Sequence, residues 1–306
     1  DPVHEPHRFI EITVHEGPRD RLAVELPLAV LLEKGRSRRI VKTCHCYLRF
    51  APLACQDMSR SRVTLPIMGI RHDQGIVLRS YPFGEADRVV VLLSPNHGKL
   101  RTVAKGVRKT KSRFGGRLEP FSHVDLVLYE GRNLDTITQV SLIEPFHKLR
   151  ADLDRVVSAA TMVEVADAVA QEDEPTLRLF LLLHRGLKAL DVDDPHPDVV
   201  TAFMLKAASV VGVAPALDAC AACGRDENLV RFSFADGGVQ CDSCRTQGSY
   251  ALRAGLTDYL ADLAFADLAD MPEFDPSMSR DAMGVARRFL EYHLERRLES
   301  LAVLDV

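Results

Sequence analysis

RVVVLLSPNHGKLRTVAK, residues Arg88 to Lys105, decides how the front of this chain is read. Arg88–Ser94 is a β-branched apolar run, the composition of a strand. Ser94-Pro95-Asn96-His97-Gly98 is a turn cluster. Lys99–Lys105 alternates basic and apolar residues, so a second strand carries cations on one face and buries the other. The same signals continue on both sides. Gly75–Tyr81 is a β-rich run that ends at Pro82-Phe83-Gly84. Phe121–Glu130 alternates again, Gly131-Arg132-Asn133 makes a hairpin turn, and Leu134–Ile143 is a fifth strand. Five strands with one long connection after the third predict a small OB-fold β-barrel.

Behind the barrel the period changes to that of helices. Ala151–Gln171 spaces Leu153, Val156, Val157, Ala160, Val163, Ala166 and Val169 three and four apart. Pro175 precedes a helix at Leu177–Leu190, and Pro197 one at Asp198–Val211. Leu256–Leu268 and Arg280–Leu301 follow, the last with Val285, Phe289, Leu294, Leu298 and Leu301 on one side. The expected class is α+β: an N-terminal five-stranded OB-fold barrel at 68–148, then a mainly helical domain at 149–306. Residues 1–67 read poorly, with an apolar run broken at Pro27. A cleaner pattern starts at Met68, so Met68 is taken as the natural start and 1–67 as a poorly ordered extension.

Cys220-Ala-Ala-Cys223 and Cys241-Asp-Ser-Cys244 form CxxC-x17-CxxC, inserted in the helical domain at 218–248. Two knuckles of this spacing complete a closed tetrahedral site of four thiolates, and the chain is expected to hold one structural Zn2+ there. Gly224 lets the chain leave the first knuckle with positive φ. Leu229–Phe234 and Gly238–Gln240 are expected strands turning at Asp236-Gly237. A closed site leaves no position for a substrate, and no βαβ context supports a redox CxxC. Cys44-His45-Cys46 and Cys55 have poor ligand spacing and read as free thiols.

Charge is unevenly placed. The net of −4 divides into +3 over 1–67, +6 over 68–150 and −13 over 151–306. A basic module joined to an acidic one points to a polyanion partner for the first alone. Lys99, Arg101, Lys105, Arg108, Lys109, Lys111, Arg113 and Arg117 fall in one stretch without an acid among them. Cations on a strand face and its following loop suit phosphate tracking along DNA, where a bland cationic strand edge is the alternative. Tyr81, Phe83, Phe114 and Tyr129 are candidates to stack bases. Core packing is the expected role of each except Phe114, whose place among cations and glycines predicts an exposed ring.

A 46% hydrophobic content supports a sizeable core. There is no apolar run of membrane-spanning length and no secretory signal pattern, so no membrane partner is expected and a soluble, cytoplasmic chain is the default. No Walker A motif, paired-carboxylate motif or nucleophile–base pair is visible. His72, His97, His123, His184 and His293 are scattered and read as satisfied structural residues, so no catalytic residues are expected. The rival readings are a metal-dependent nuclease, which needs an open metal site, and a zinc-ribbon transcriptional regulator, which needs one preferred duplex sequence.

Several segments, in order, resemble the RecO family: Gly75-Ile-Val-Leu-Arg79, Phe83-Gly-Glu-Ala-Asp-Arg88, and the run from His97 to Arg108. Leu118-Glu-Pro-Phe121, Gly131-Arg-Asn-Leu-Asp135 and Phe289-Leu-Glu-Tyr-His-Leu-Glu295 complete the set. The resemblance covers about 70–306, and residues 1–67 have no counterpart in it. It implies an OB fold, a helical domain often carrying a zinc knuckle, and recombination mediation at the bacterial nucleoid. It also implies binding of single- and double-stranded DNA, annealing of complementary strands, and RecA loading with RecR on DNA coated by single-strand-binding protein (SSB). The SSB tail is implied to dock on the helical domain, with Arg287, Arg288, Arg296 and Arg297 of the last helix as candidates.

Overall fold

The computed structural model describes residues 69–300 and, ahead of them, two strands that pair antiparallel, β1 (Thr13–Gly17) and β2 (Arg21–Glu25). The chain divides into two compact units, Asp1–Leu65 and Pro66–Val306. Apart from that one ladder, the reading of 1–67 as a poorly ordered extension and of Cys44, Cys46 and Cys55 as free thiols lies outside the described residues.

Five strands form the barrel: β3 (Ile70–Phe83), β4 (Asp87–Ser94), β5 (Gly98–Ala104), β6 (His123–Tyr129) and β7 (Asp135–Glu144). They close in the order β3-β4-β5-β7-β6, with β5 and β7 parallel and the other neighbours antiparallel. β3 starts earlier than its apolar run suggests. Its polar first half pairs with β6 and its second half with β4, with a register shift between Val77 and Arg79 where the strand bends to close the barrel. β6 starts two residues later than the alternation suggests, because Phe121 takes φ 72° and the chain crosses to Val77 there, Phe121 N donating to Val77 O at 2.8 Å.

The β4–β5 turn is built on a buried carboxylate. Asp73 accepts from Ser94 Oγ, from Asn96 Nδ2 at 2.9 Å and from Gln74 N at 2.8 Å, and meets His97 Nδ1 at 2.7 Å. Burial pushes its acidity toward the neutral form, but these hydrogen bonds outweigh it and hold the carboxyl below the usual range. Gly98 closes the turn at φ 67°, and a Cβ there would lie 1.9 Å from Glu174 O. Only glycine lets the end of the turn lie against the segment after the first long helix.

The helical domain comprises α1 (His147–Arg150), α2 (Leu153–Val169), α3 (Leu177–Leu190), α4 (Val199–Val210), α5 (Leu256–Phe265) and α6 (Pro276–His293). Asp152 caps α2 by accepting from Arg155 N, and Asp275 caps α6 ahead of Pro276. Between α4 and α5 lie β8 (Leu229–Ser233), β9 (Gly238–Cys241) and β10 (Tyr250–Ala251), in the order β10-β8-β9. The last helix is shorter than its sequence period predicts. The chain leaves it after His293, Glu295 takes φ 50°, and Leu298 returns to the core as Glu291 Oε1 accepts from its N–H at 3.0 Å. No helix among the described residues is long and apolar enough to cross a membrane.

The barrel has two apolar surfaces. Val77, Val90, Leu92, Val124, Leu126 and Leu128 fill its interior. Ile76, Leu78, Val91 and Leu93 project outward and share one core with α2, α3 and the rest of the helical domain. Polar contacts rim this seam: Arg79 Nε bonds Asp167 at 2.8 Å, and Arg150 donates to Pro120 O and Ser122 Oγ. The architecture is α+β, a five-stranded OB barrel fused to a helical domain with an inserted cysteine module.

Candidate nucleic-acid interface and metal centre

The long connection from β5 to β6 carries most of the cations. Its apolar residues are anchors: Phe114 and Leu118 are buried in the barrel interior, with Val107 packed against them. Lys105, Arg108, Lys109, Lys111, Arg113 and Arg117 all point outward and are exposed. Among the described residues none of the six has an ion-pair partner; Arg108 reaches only Gly84 O, at 3.5 Å, and Arg117 donates to Arg113 O and Phe114 O. A buried plug thus holds a cationic rim at the mouth of the barrel, with the loop's ammonium and guanidinium groups available to an anionic ligand.

Three sequence expectations change here. The sequence predicts an exposed stacking ring at Phe114, but it is 1% exposed, because the barrel end needs a large apolar side chain to fill it. The Arg113 guanidinium lies over its outer face, 4.9 Å from the ring centre. Phe83, expected in the core, is 51% exposed, and Tyr129 is 37% exposed. Lys99 points into the seam, donating from Nζ to Asp167 O at 2.7 Å, so it is withdrawn from the cationic face. Arg101 stays exposed but is engaged with Tyr81 Oη at 3.0 Å and lies 3.7 Å from Glu172.

The four cysteines come together as their spacing predicts. The sulfurs of Cys220, Cys223, Cys241 and Cys244 lie within 4.8 Å of one another, and Cys223 Sγ is 3.8 Å from Cys241 Sγ. A tetrahedron with arms of about 2.3 Å has edges of about 3.8 Å, so the donor set fits a thiophilic ion. Burial pushes the Cys220 thiol up, but backbone N–H groups of Cys241, Cys223 and Ala222 bring it down to about 6. Hydrogen bonds to Cys223 and Cys241 drive Cys244 up to about 12. Gly224 takes φ 74° and Gly237 φ 79°, at the two turns where positive φ is expected. The module is packed onto α6: the Phe232 ring meets Phe289 edge-on at 5.9 Å, and Phe234 stacks on Tyr292 at 6.4 Å.

Between that module and α6 runs a groove of about 1320 Å³, lined among others by Tyr250, Arg253, Arg280, Arg287, Arg288 and Arg297. Arg287 pairs with Glu291 four residues on, at 3.3 Å. Three of the four arginines expected to dock an acidic tail line the groove, and Arg296 does not. Arg296 and Arg297 lie beyond the end of α6 and not on it.

Sequence reading missed one cluster. His123, Glu144 and His184 converge where β6, β7 and α3 meet. Burial pushes His123 below the usual histidine value, against the hydrogen bond it donates to Glu144. Burial works against ionised Glu144 as well, but bonds from His184 and His123 hold it low. The two histidines stand far apart in the chain, and no local spacing pattern announces them.

The family model described as "Recombination protein O N terminal" matches residues 68–146, and "Recombination protein O C terminal" matches residues 150–302. The chain is 44% identical over 241 residues to a protein named "DNA repair protein RecO" from Frankia casuarinae, covering 78% of this chain and 99% of that protein. It is 44% identical over 242 residues to another of that name from Nocardioides sp., covering 76% and 98%.

Two outcomes are expected from these geometries. Phe114→Ala should destabilise the barrel by about 3–5 kcal/mol in denaturant unfolding, the usual cost of emptying a buried aromatic site. Unchanged stability with lost affinity for single strands would instead return Phe114 to a stacking role. The purified chain should carry one ion per four-cysteine site by elemental analysis, and Cys241→Ser should release it and lower the melting temperature. A metal-free wild-type chain of the same stability would remove the structural role of the site.

Proposed function

The chain belongs to the recombination protein O family, and on that premise we propose that it is a DNA-binding recombination mediator acting in repair. It binds single- and double-stranded DNA, anneals complementary strands and, with RecR, promotes RecA loading on SSB-coated strands, in the RecF pathway of the cytoplasm and nucleoid. The observation that carries this reading is the rim of six exposed cations, free of ion pairs among the described residues, pinned to an OB barrel. Unpaired cations on a fixed loop track phosphates without reading bases, as an annealing protein requires. The relatives' names, "DNA repair protein RecO", agree with it. No bond-making step belongs to this action.

We assign the four-cysteine site to zinc, since four thiolates in a tetrahedral edge geometry suit that ion best. Its role is to fold the module that flanks the α6 groove. That groove is the proposed dock for the SSB tail, an acidic segment with an apolar tip: arginines supply the charge complement and Val200, Leu256 and Met283 the apolar floor. The surrounding net of −13 over 151–306 keeps DNA itself away from this half.

Salt dependence tests the DNA site. Each phosphate neutralised on a single strand contributes about −0.7 to the slope of log affinity against log salt. With about five phosphates engaged the slope is about −3.5, a loss of about a hundredfold between about 50 and 200 mM salt. Replacing Lys109, Lys111 and Arg113 together with alanine should flatten the slope by about two units, equally for all sequences, and slow annealing in parallel. Equal slopes for wild type and triple variant would place the phosphates elsewhere. For the groove, charge reversal at Arg287, Arg288 and Arg297 should abolish binding of an SSB tail peptide while leaving the DNA salt slope unchanged. Retained peptide affinity would move the dock.

A further inference from the structure

At the seam between barrel and helices, His123 opens β6, Glu144 closes β7, and His184 sits in the middle of α3. Each offers a ligand atom, and the three atoms lie within 4.8 Å of one another. We propose that these side chains form a second metal site, separate from the cysteines, for a borderline divalent transition ion such as zinc.

The geometry around each ligand carries this assignment. His123 Nδ1 is 3.3 Å from Glu144 Oε2, and His184 Nε2 bonds the same oxygen, so both rings aim a nitrogen at one point. The other nitrogen of His123, Nε2, is 3.0 Å from Gln74 Oε1. In the tautomer that donates Nε2–H to that amide oxygen, Nδ1 turns its lone pair toward Glu144, the state in which it can ligate an ion. A cation placed between that nitrogen and the carboxylate would take both as ligands. A histidine whose outer N–H is held by a protein oxygen while the inner nitrogen faces a carboxylate is the arrangement metal ligands adopt. Lys188 Nζ lies 3.3 Å from Glu144 Oε1, the oxygen turned away from the histidines, and so leaves Oε2 as a single donor.

The rings are also held in place before any ion arrives. Phe180 stacks on His184 at 6.2 Å with an interplanar angle of 4°, and Phe146 meets it edge-on at 6.4 Å. His123 packs edge-on against both Phe180, at 5.6 Å, and His184, at 5.0 Å. An apolar wall behind imidazole and carboxylate donors strengthens their hold on a cation and limits their swing. On its other side Glu144 borders a pocket of about 270 Å³ with His147, Lys188 and Asp191. Two imidazoles and one carboxylate are borderline donors, suited to zinc, cobalt or nickel and poorly matched to magnesium or calcium. The barrel supplies His123 and Glu144 and the helical domain supplies His184, so the ion would fasten the DNA-binding face to the helices.

The experiment uses the full chain with its cysteine site already filled with zinc. Cobalt is then titrated in and followed by absorption, elemental analysis and thermal unfolding. A second equivalent should bind with weak visible bands and without the intense near-ultraviolet charge-transfer band of cobalt–thiolate bonds. It should raise the melting temperature by a few degrees, since an ion that binds only the folded chain stabilises it. His184→Gln should lose the second equivalent and its stabilisation and keep the first ion. If that variant fails to fold, histidine-labelled wild type decides: zinc must shift His123 Nδ1 and His184 Nε2 and leave His97 and His293 unmoved. The proposal is overturned if no second ion binds, if the second ion shows thiolate bands, if His184→Gln retains it, or if the labelled histidines of the seam do not respond.

Discussion

The burial of β4 on both faces is the constraint on which the rest of the molecule depends. Val90 and Leu92 point into the barrel, and Val91 and Leu93 point out of it. An OB barrel standing alone would leave the outward pair, with Ile76 and Leu78 of β3, in water. Each such side chain is worth about 1.5–3 kcal/mol when buried, so the strip needs a cover. α2 and α3 supply it, and barrel and helices then share a core. Once they do, the polar groups at the rim must find partners inside the seam. Arg79 and Lys99 turn toward Asp167, Arg150 toward Pro120 and Ser122, and His123 toward Glu144.

That constraint sorts the cations of the front half. Those near the seam are consumed by structure, as Lys99 is, and those on the β5–β6 loop stay in solvent. The loop keeps its position because Phe114 and Leu118 close the barrel from within. A side chain with no charge therefore holds the charged ones in register. The arrangement separates exposed ammonium and guanidinium groups from the buried ring that fixes them, and the two respond to different changes.

The rear half follows the same logic with another device. A module of three short strands has too little apolar area to fold by itself, and four thiolates gathered at one point repel one another until a cation joins them. The module presents Phe232 and Phe234 to α6, and the groove between them takes its shape from both. The last helix ends at His293, and after Glu295 at φ 50° the chain brings Leu298 back into the core.

Much of this was legible in the sequence. Alternation and turn residues mark the five strands, CxxC-x17-CxxC marks the four-cysteine cluster, and the acid-free run from Lys99 to Arg117 marks the cationic face, because each signal is local and survives without knowing the fold. The apolar run Val89–Leu93 carried a further message, since a strand with no polar side has neighbours on both faces. Tertiary structure alone decided the rest. Phe114 sits among cations in sequence and inside the barrel in space. Lys99 belongs to the basic run by position and to Asp167 by contact. His123, Glu144 and His184 come from three elements and have no common spacing. A side chain's partner across a seam is set by which surfaces must be buried together, and that depends on the packing of the whole chain, which no local window contains.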